Sequence, residues 1–237
     1  MRLKVITAYD ENYACVGDMA ARSIRIYAAA NNLDYEIFPI PPMDRPPAWA
    51  KIQLILDQFS KTDADFVLWV DADACFVSAD LNIADFIKDG KDLYLVNHAV
   101  KRQYARHGVF LLLERPNTGV MLLRNSQWSR QFLQDVWSMT KYTNHFWWEN
   151  AAIMDLLGFR LELTGNLDDN APEESVLNKV EWLPLVWNCI PYLDREETSY
   201  FNEVLDPIIV HYAGIAMKAR IPLMQAHTMS TKISLRQ

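Results

Sequence analysis

The sequence predicts an α/β protein with a mostly parallel, doubly wound sheet flanked by helices, and three observations carry that expectation. Strand-like and helix-like stretches alternate from Leu3 to Val70 in the order β-α-β-α-β. The third strand, Phe66 to Val70 (Phe-Val-Leu-Trp-Val), is an unbroken apolar run, the mark of a strand buried on both faces. The 237 residues are 51% hydrophobic and 22% charged, which is ordinary globular composition and enough chain for one large α/β domain.

Leu3 to Ala8 reads as the first strand, and Tyr9-Asp10-Glu11-Asn12-Tyr13 as a polar loop. Asp18 is a candidate cap for a helix through Ala29, with Ala20, Ile24, Tyr27 and Ala28 on its buried face and Asn31-Asn32 closing it. Tyr35 to Ile40 is a second strand. Pro41-Pro42 and Pro46-Pro47 bracket a loop, because proline fixes φ and lacks an N–H. Trp49, Ile52, Leu56 and Phe59 then share one face of a second helix.

Beyond the third strand, Asp80 or Asn82 starts a short helix through Phe86-Ile87. Asp92 to Asn97 is a strand ending at His98. Val109 to Leu113 and Gly119 to Leu123 read as two more. Ser126 caps a helix burying Phe132, Leu133, Val136 and Trp137. Trp147-Trp148-Glu149-Asn150 leads into another helix, stopped after Leu157 by Gly158. Glu162 to Glu181 reads as loop, Leu183 to Ile190 as strand-like, and Pro207 to Tyr212 as the last strand. The tail after Lys218 is irregular or helical. No linker or composition break divides the chain, so residues 1–237 are expected to form a single domain.

A net charge of −7 without a basic run argues against a nucleic-acid partner. Three widely spaced cysteines, Cys15, Cys75 and Cys189, argue against a disulfide framework or a cysteine metal site. No 18-residue apolar run is present, and Met1 to Thr7 reads as a strand start, not a signal peptide. A cytoplasmic setting is expected. Oligomeric state is not legible.

The chemistry centres on Asp71-Ala72-Asp73, directly after the apolar third strand. Two carboxylates at the carboxyl end of a buried strand are costly unless something compensates them, and that end is where open α/β sheets bind ligands. A divalent cation, Mn2+ or Mg2+, suits such hard oxygen ligands and is usually shared with a substrate phosphate. The same spacing also reads as a polar turn or a helix cap.

Four pieces follow one another in order: Val67-Leu68-Trp69-Val70-Asp71-Ala72-Asp73, Asn117-Thr118-Gly119-Val120-Met121-Leu122-Leu123, Trp148-Glu149-Asn150-Ala151-Ala152, and Val210-His211-Tyr212-Ala213-Gly214. Together they resemble nucleotide-sugar-dependent glycosyltransferases of the GT-A fold, a single-domain Rossmann-like sheet. The resemblance is to the galactosyl/mannosyl/xylosyltransferase family first and the glycogenin-like family next, over roughly Leu3 to Lys218.

That resemblance implies roles. Asp71 and Asp73 would hold the metal, usually manganese, with His211 as third protein ligand, and Ala72 would lie within the donor site. Thr7, Ala8 and Tyr9 would meet the base and ribose of a nucleotide-sugar donor, expected as a UDP-sugar, with Tyr9 stacking on uracil; Tyr9 also reads as a surface-loop side chain. Lys51 falls where relatives place a basic donor contact, and equally fits a solvated helix face. Gly214 would let the chain turn back after His211, and Lys218 would reach the diphosphate. Ala219-Arg220 replaces the family's Pro-Trp here, which makes Arg220 the rival of Lys218; the expectation favours Lys218. Asn117 and Glu149 are catalytic candidates, lining the donor sugar or acceptor, although Glu149 also suits a helix N-terminus. Asn150 departs from the family's usual pairing.

The implied reaction is metal-dependent transfer of a hexose or pentose to a saccharide or other hydroxyl acceptor, with retention. Two other readings compete. One is a haloacid-dehalogenase-type phosphohydrolase, with Asp168-Asp169 imitating its later acidic motif. The other is a non-catalytic nucleotide- or sugar-binding module.

Overall fold

β-Branched and aromatic residues make up most of the segments Leu3–Tyr9 and Phe66–Val70, and the short acids Asp10, Asp65 and Asp71 bound them. The computed structural model describes residues 1–104, 109–159, 174–190 and 206–230. In chain order these form β1 (Leu3–Tyr9), α1 (Ala14–Asn31), β2 (Asp34–Pro39), α2 (Ala50–Lys61), β3 (Phe66–Val70), β4 (Ala74–Phe76), β5 (Leu93–Tyr104), β6 (Val109–Arg124), α3 (Gln127–Ser138), α4 (Trp148–Leu156), α5 (Glu174–Leu177), β7 (Val180–Trp182), β8 (Ile209–His211) and α6 (Met217–Ser230).

Six strands make a mostly parallel sheet in the order β2-β1-β3-β6-β5-β7, with β6 the one reversed strand. Every residue of β3 is buried, as its apolar run requires. Val67 and Trp69 face one core layer with Ile52 and Ile55 of α2, Leu133 of α3 and Ile153 of α4. Phe66, Leu68 and Val70 face the other layer with Ile24 and Tyr27 of α1 and with Trp187. Fully burying an aliphatic or aromatic side chain of this size contributes about 1.5–3 kcal/mol. The sheet is therefore clamped between two apolar layers, and its centre is the strand that carries the acid pair.

The sequence reading differs from the structure at several elements. Asp18 lies inside α1 rather than at its start; its carboxylate accepts from the Tyr9 hydroxyl at 2.7 Å. The cap is Asp10, which accepts from the Tyr13 N–H and begins a 3-10 turn running straight into α1. Asn32 closes α1 in the left-handed region at φ 53°, which asparagine tolerates. The runs at Val109 and Gly119 belong to one strand, β6, whose pairing with β5 shifts at Leu95/Val96. Leu183 to Ile190 is not a strand: Pro184 opens a 3-10 turn over Leu185–Trp187. The loop expected from Glu162 to Glu181 contains α5 and the edge strand β7, whose three residues are too few for a periodic signal. Residues 162–173 of that loop lie outside the described residues.

A strand that the sequence reading missed brings the site together. β4 follows the Asp71-Ala72-Asp73 turn and pairs antiparallel with β8, setting Ala74 opposite His211. Two backbone bonds fix that turn: Ala74 N–H to Asp71 O at 2.9 Å and Tyr212 N–H to Asp73 O at 3.0 Å.

Candidate metal and donor site

The ligating atoms of Asp71, Asp73 and His211 all lie within 4.8 Å of one another. His211 Nε2 is 3.3 Å from Asp73 Oδ1 and 3.9 Å from Asp71 Oδ2. Its ring reaches this position because residue 119 is glycine. A Cβ there would lie 2.1 Å from His211 Cε1, which no side chain tolerates. Asp71 N–H also donates to Gly119 O at 2.7 Å, so β6 forms the floor beneath both the acid turn and the imidazole.

The second oxygen of Asp71 is tied inward. Its Oδ1 accepts from Trp69 Nε1 at 2.6 Å and lies 2.9 Å from Lys51 Nζ. Lys51 is not on a solvated face: its side chain is 2% exposed, bridges Asp71 and Glu149 (2.7 Å), and donates to Thr118 O at 3.2 Å. Burial opposes the lysine charge, but Asp71 and then Glu149 outweigh it and hold the ammonium well above the usual lysine range. Burial likewise opposes ionisation of Asp71, and Lys51, followed by His211, holds it below the usual carboxylate range. Glu149 comes out the other way: burial pushes its carboxyl up, and the pull of Lys51 does not fully offset it. One cation thus serves two acids unequally. Glu149 Oε2 is buried with no hydrogen-bond partner.

Asp73 faces a different cation. Its Oδ2 is 3.3 Å from Arg220 Nη1, and both Arg220 and Asp73 contact the Tyr13 hydroxyl. Lys218 is exposed on the first turn of α6. Gly214 has φ +72° with open space around it, a backbone conformation that favours glycine.

A third group of contacts joins β6 to β8. Asn117 Oδ1 accepts from Gly119 N–H and from Asn188 Nδ2, each at 2.9 Å. Asn188 Oδ1 lies 2.9 Å from His211 Nδ1. Asn150 Oδ1 accepts from Thr118 N–H at 2.8 Å, so the Asn that departs from the family pattern holds the β6 floor in place.

Of the residues singled out in the sequence, Lys51, Asp71, Asp73, Asn117, Glu149 and His211 converge here. Ala72 is buried within the turn. Thr7, Ala8 and Tyr9 finish β1, one strand away, just past the Ile6–Trp69 pairing. Thr7 is fully buried with Oγ1 unpartnered, and Ala8 belongs to the core. Tyr9 packs its ring over Gly17, and burial together with Asp18 pushes its hydroxyl up to about 12. Lys218 joins none of these contacts. Asp168-Asp169 lies outside the described residues. Asn188, Trp69 and Tyr13 were not singled out in the sequence. Asn188 left one signal: an amide inside the apolar run from Leu183 to Ile190 has to find partners if buried.

The residues present fit a divalent cation. Two carboxylate oxygens and an imidazole nitrogen face one point, and three acids (Asp71, Asp73, Glu149) outnumber two side-chain cations (Lys51, Arg220). Oxygen with imidazole donors suits manganese or magnesium. Among the described residues, no helix is long and apolar enough to cross a membrane.

Comparison with known proteins agrees with this architecture. A glycosyltransferase involved in the glycosylation of the major capsid of PBCV-1 superposes with a TM-score of 0.65, covering 95% of this chain and all of that one, at 15% identity. The galactosyltransferase LgtC, in complex with donor and acceptor sugar analogues, gives 0.58 over 97% of this chain and 96% of its own, at 14% identity. GlyE of Streptococcus pneumoniae TIGR4 gives 0.54 over 97% of this chain and 60% of its own, at 15%. At these identities the likeness is one of fold, the GT-A glycosyltransferase fold. In sequence, the "Probable glycosyltransferase 6" proteins of Oryza sativa subsp. japonica and indica are 35% identical over 91 residues. That match spans 38% of this chain and 18% of the length of those relatives. Residues 21–166, more than half of the sequence and including the acid pair and Glu149, match the galactosyl transferase GMA12/MNN10 family, and the chain belongs to it.

Proposed function

We propose that this protein is a metal-dependent glycosyltransferase that moves a hexose or pentose from a nucleotide diphosphate sugar, a UDP-sugar in the first instance, to a saccharide or other hydroxyl acceptor with retention. The observation that carries the reading is the meeting of Asp71, Asp73 and His211 at the carboxyl end of β3 in a chain of this family. Residues 1–237 act as one catalytic domain, and a cytoplasmic location rests on composition alone.

Asp71 Oδ2, Asp73 Oδ1 and His211 Nε2 would hold Mn2+ or Mg2+. Such a cation supplies Lewis-acid stabilisation of the diphosphate leaving group. The chain's own residues do the rest. Lys51 keeps Asp71 ionised and aims Oδ2 outward by occupying Oδ1. Thr7, Ala8 and Tyr9, ending the neighbouring strand, meet the base and ribose. Lys218 and Arg220 are the cations for the diphosphate, and the position of Arg220 beside Asp73 supports giving it the larger share. Glu149, with one oxygen unpartnered, takes a hydroxyl of the transferred sugar or acceptor, and Asn117 lines the same floor. A preorganised, water-poor cleft of this kind favours developing charge on the leaving group and protects the donor from hydrolysis.

Thermal unfolding tests the reading. Mn2+ with UDP is expected to raise Tm more than the sum of either alone, because both bind only the native state and each completes the other's site. Additive or absent shifts, with GDP tested alongside, would sink it. Asp73→Ala and His211→Ala are expected to abolish transfer from a labelled donor with the fold intact. Full activity of Asp73→Ala in chelator would remove the metal from the reading.

A further inference from the structure

Hydrogens fix which way each amide and imidazole points around His211, and one backbone N–H determines the whole set. Gly119 N–H can only donate, so the Asn117 atom 2.9 Å away is its oxygen. That same oxygen meets Asn188 at 2.9 Å, and an oxygen can only accept there, so Asn188 presents its NH2. A further contact from that NH2 to the Asn117 carbonyl at 3.4 Å agrees. The remaining Asn188 atom is then its oxygen, and it lies 2.9 Å from His211 Nδ1. An oxygen acceptor there requires the proton on Nδ1. In the neutral ring, Nε2, the nitrogen facing Asp73 and Asp71, is then left with its lone pair.

We propose that Asn188 is a positioning residue that presets His211 as the Nδ1–H tautomer, turning its Nε2 lone pair toward Asp71 and Asp73, and that it simultaneously turns Asn117 to offer N–H donors into the site. The inference rests on the metal reading above for its consequence, but not for its geometry. Asn188 is fully buried. It has both halves of its amide engaged, one on β6 and one on β8, so it has no second orientation that satisfies the same partners. The neutral ring alone has no reason to choose this tautomer, since a carbonyl beside Nε2 would select the other. Outer partners of this kind fix the ring and tune its basicity as a ligand. Asn117 is tied by its oxygen to Gly119 and Asn188, and its Nδ2 has no acceptor among the described residues. The ligand group it meets therefore carries lone pairs: a sugar hydroxyl or a phosphate oxygen.

Two measurements on the full chain decide this. Nitrogen NMR of 15N-histidine-labelled, metal-free protein, followed upward in pH until the ring is neutral and with the His211 signal assigned by its loss in His211→Gln, is expected to show a protonated Nδ1 and a bare Nε2. A protonated Nε2 overturns the proposal. Titration with Mn2+ alone, followed by electron spin resonance of the free ion, is expected to show 10–100-fold weaker binding by Asn188→Ala. Asn188→Asp, which keeps an oxygen for Nδ1–H, is expected to bind Mn2+ within a few-fold of wild type. Equal affinity in a folded Asn188→Ala protein overturns the positioning role. If Asn188→Ala does not fold, the wild-type nitrogen signal and the Asp variant still decide the matter. Failure of the wild-type protein to bind any Mn2+ overturns the metal reading instead, and the nitrogen signal then rules on the tautomer alone.

Discussion

The acid pair is flanked by two cations, and they are held in opposite ways. Lys51 comes from the middle of the molecule, on a helix packed in the core, and its side chain is 2% exposed between Asp71 and Glu149. Arg220 comes from α6, near the end of the described chain, and meets Asp73 beside Tyr13 with 11% of its side chain exposed. Lys51 has two acids and a carbonyl around it and almost no exposed surface. Arg220 has one acid, at 3.3 Å, whose other oxygen already faces His211. The difference separates a cation that belongs to the scaffold from one that a ligand can displace or recruit. Losing the first leaves buried charge with nowhere to go, whereas losing the second leaves an acid beside a histidine and a hydroxyl.

The largest effect is therefore expected at Lys51. Removing one member of a buried ionic cluster costs about 3–5 kcal/mol, because the partners stay buried without compensation. Lys51→Met should lose about that much in denaturant unfolding at neutral pH. The sign of the pH dependence is also fixed. Without the ammonium, Asp71 and Glu149 both have folded-state carboxyls raised above their unfolded values. A raised carboxyl contributes stability below the unfolded pKa and loses it as pH rises through the folded one. The deficit of Lys51→Met should shrink on acidification toward the carboxylate range. A deficit under about 1 kcal/mol, flat with pH, would mean that the pair is effectively solvated.

A second test breaks the floor shared by both sides. Gly119→Ala puts a Cβ inside the His211 ring position, and the ring is held from behind by Asn188, so neither can simply swing aside. Overpacking of this kind costs about 1–3 kcal/mol. Mn2+ affinity should fall with it, whereas a variant that keeps both stability and Mn2+ binding would show that β6 gives way easily.

How much of this was readable beforehand follows the same division. β3 was legible to the residue because an apolar run of five, rich in β-branched and aromatic residues and bounded by Asp65 and Asp71, is too short for a buried helix. Asp71, Asp73 and His211 were legible as types: acids after a buried strand and a histidine at a strand end. Their convergence was legible only through the family resemblance and not from the residues themselves, because it depends on β4, a three-residue strand whose partners lie 133–137 residues further along the chain. Lys51 looked equally like a solvated helix residue, since sequence periodicity does not distinguish a lysine facing a sheet end from one facing water. Asn188 sat in an apolar run that mimicked a strand until Pro184 turned it. Lys218 and Arg220 lie two residues apart, and only the onset of α6 at Met217 decides which of them turns inward.

Arg220 is the next test in size. A hydrogen-bonded contact to a charged group is worth about 1.5–3 kcal/mol, and Asp73 keeps the Tyr13 hydroxyl. Arg220→Ala should therefore cost about 1–2 kcal/mol in the metal-free protein. Saturating Mn2+ should erase most of that deficit, because Asp73 then has another cation. It should leave the Lys51→Met deficit standing, because Lys51 holds the inward oxygen of Asp71. Equal rescue of both variants would dissolve the distinction between scaffold and exchangeable cation.

The smallest structural effect is expected at Lys218, and it is the most informative for the proposed chemistry. Its side chain is exposed at the start of α6, so Lys218→Ala should change stability by no more than about 0.5 kcal/mol. Sequence reasoning ranks it as the diphosphate cation, which would make the same substitution lower kcat by roughly one to three decades. Under the proposed function Arg220, beside Asp73, takes the larger share, so the one-to-three-decade loss is expected for Arg220→Ala and a smaller one for Lys218→Ala. The two cations do not act from the same place: one already lies against a candidate metal ligand, and the other has to be brought in by the turn at Gly214. Gly214 has φ +72°, so Gly214→Ala strains that turn without adding a clash, since nothing lies within 4 Å of the new Cβ. Steady-state kinetics of Lys218→Ala, Arg220→Ala and Gly214→Ala together separate the cases. Matching losses in Lys218→Ala and Gly214→Ala, with Arg220→Ala near wild type, would mean that the turn closes Lys218 over the donor and that Arg220 serves only to hold Asp73 in its absence.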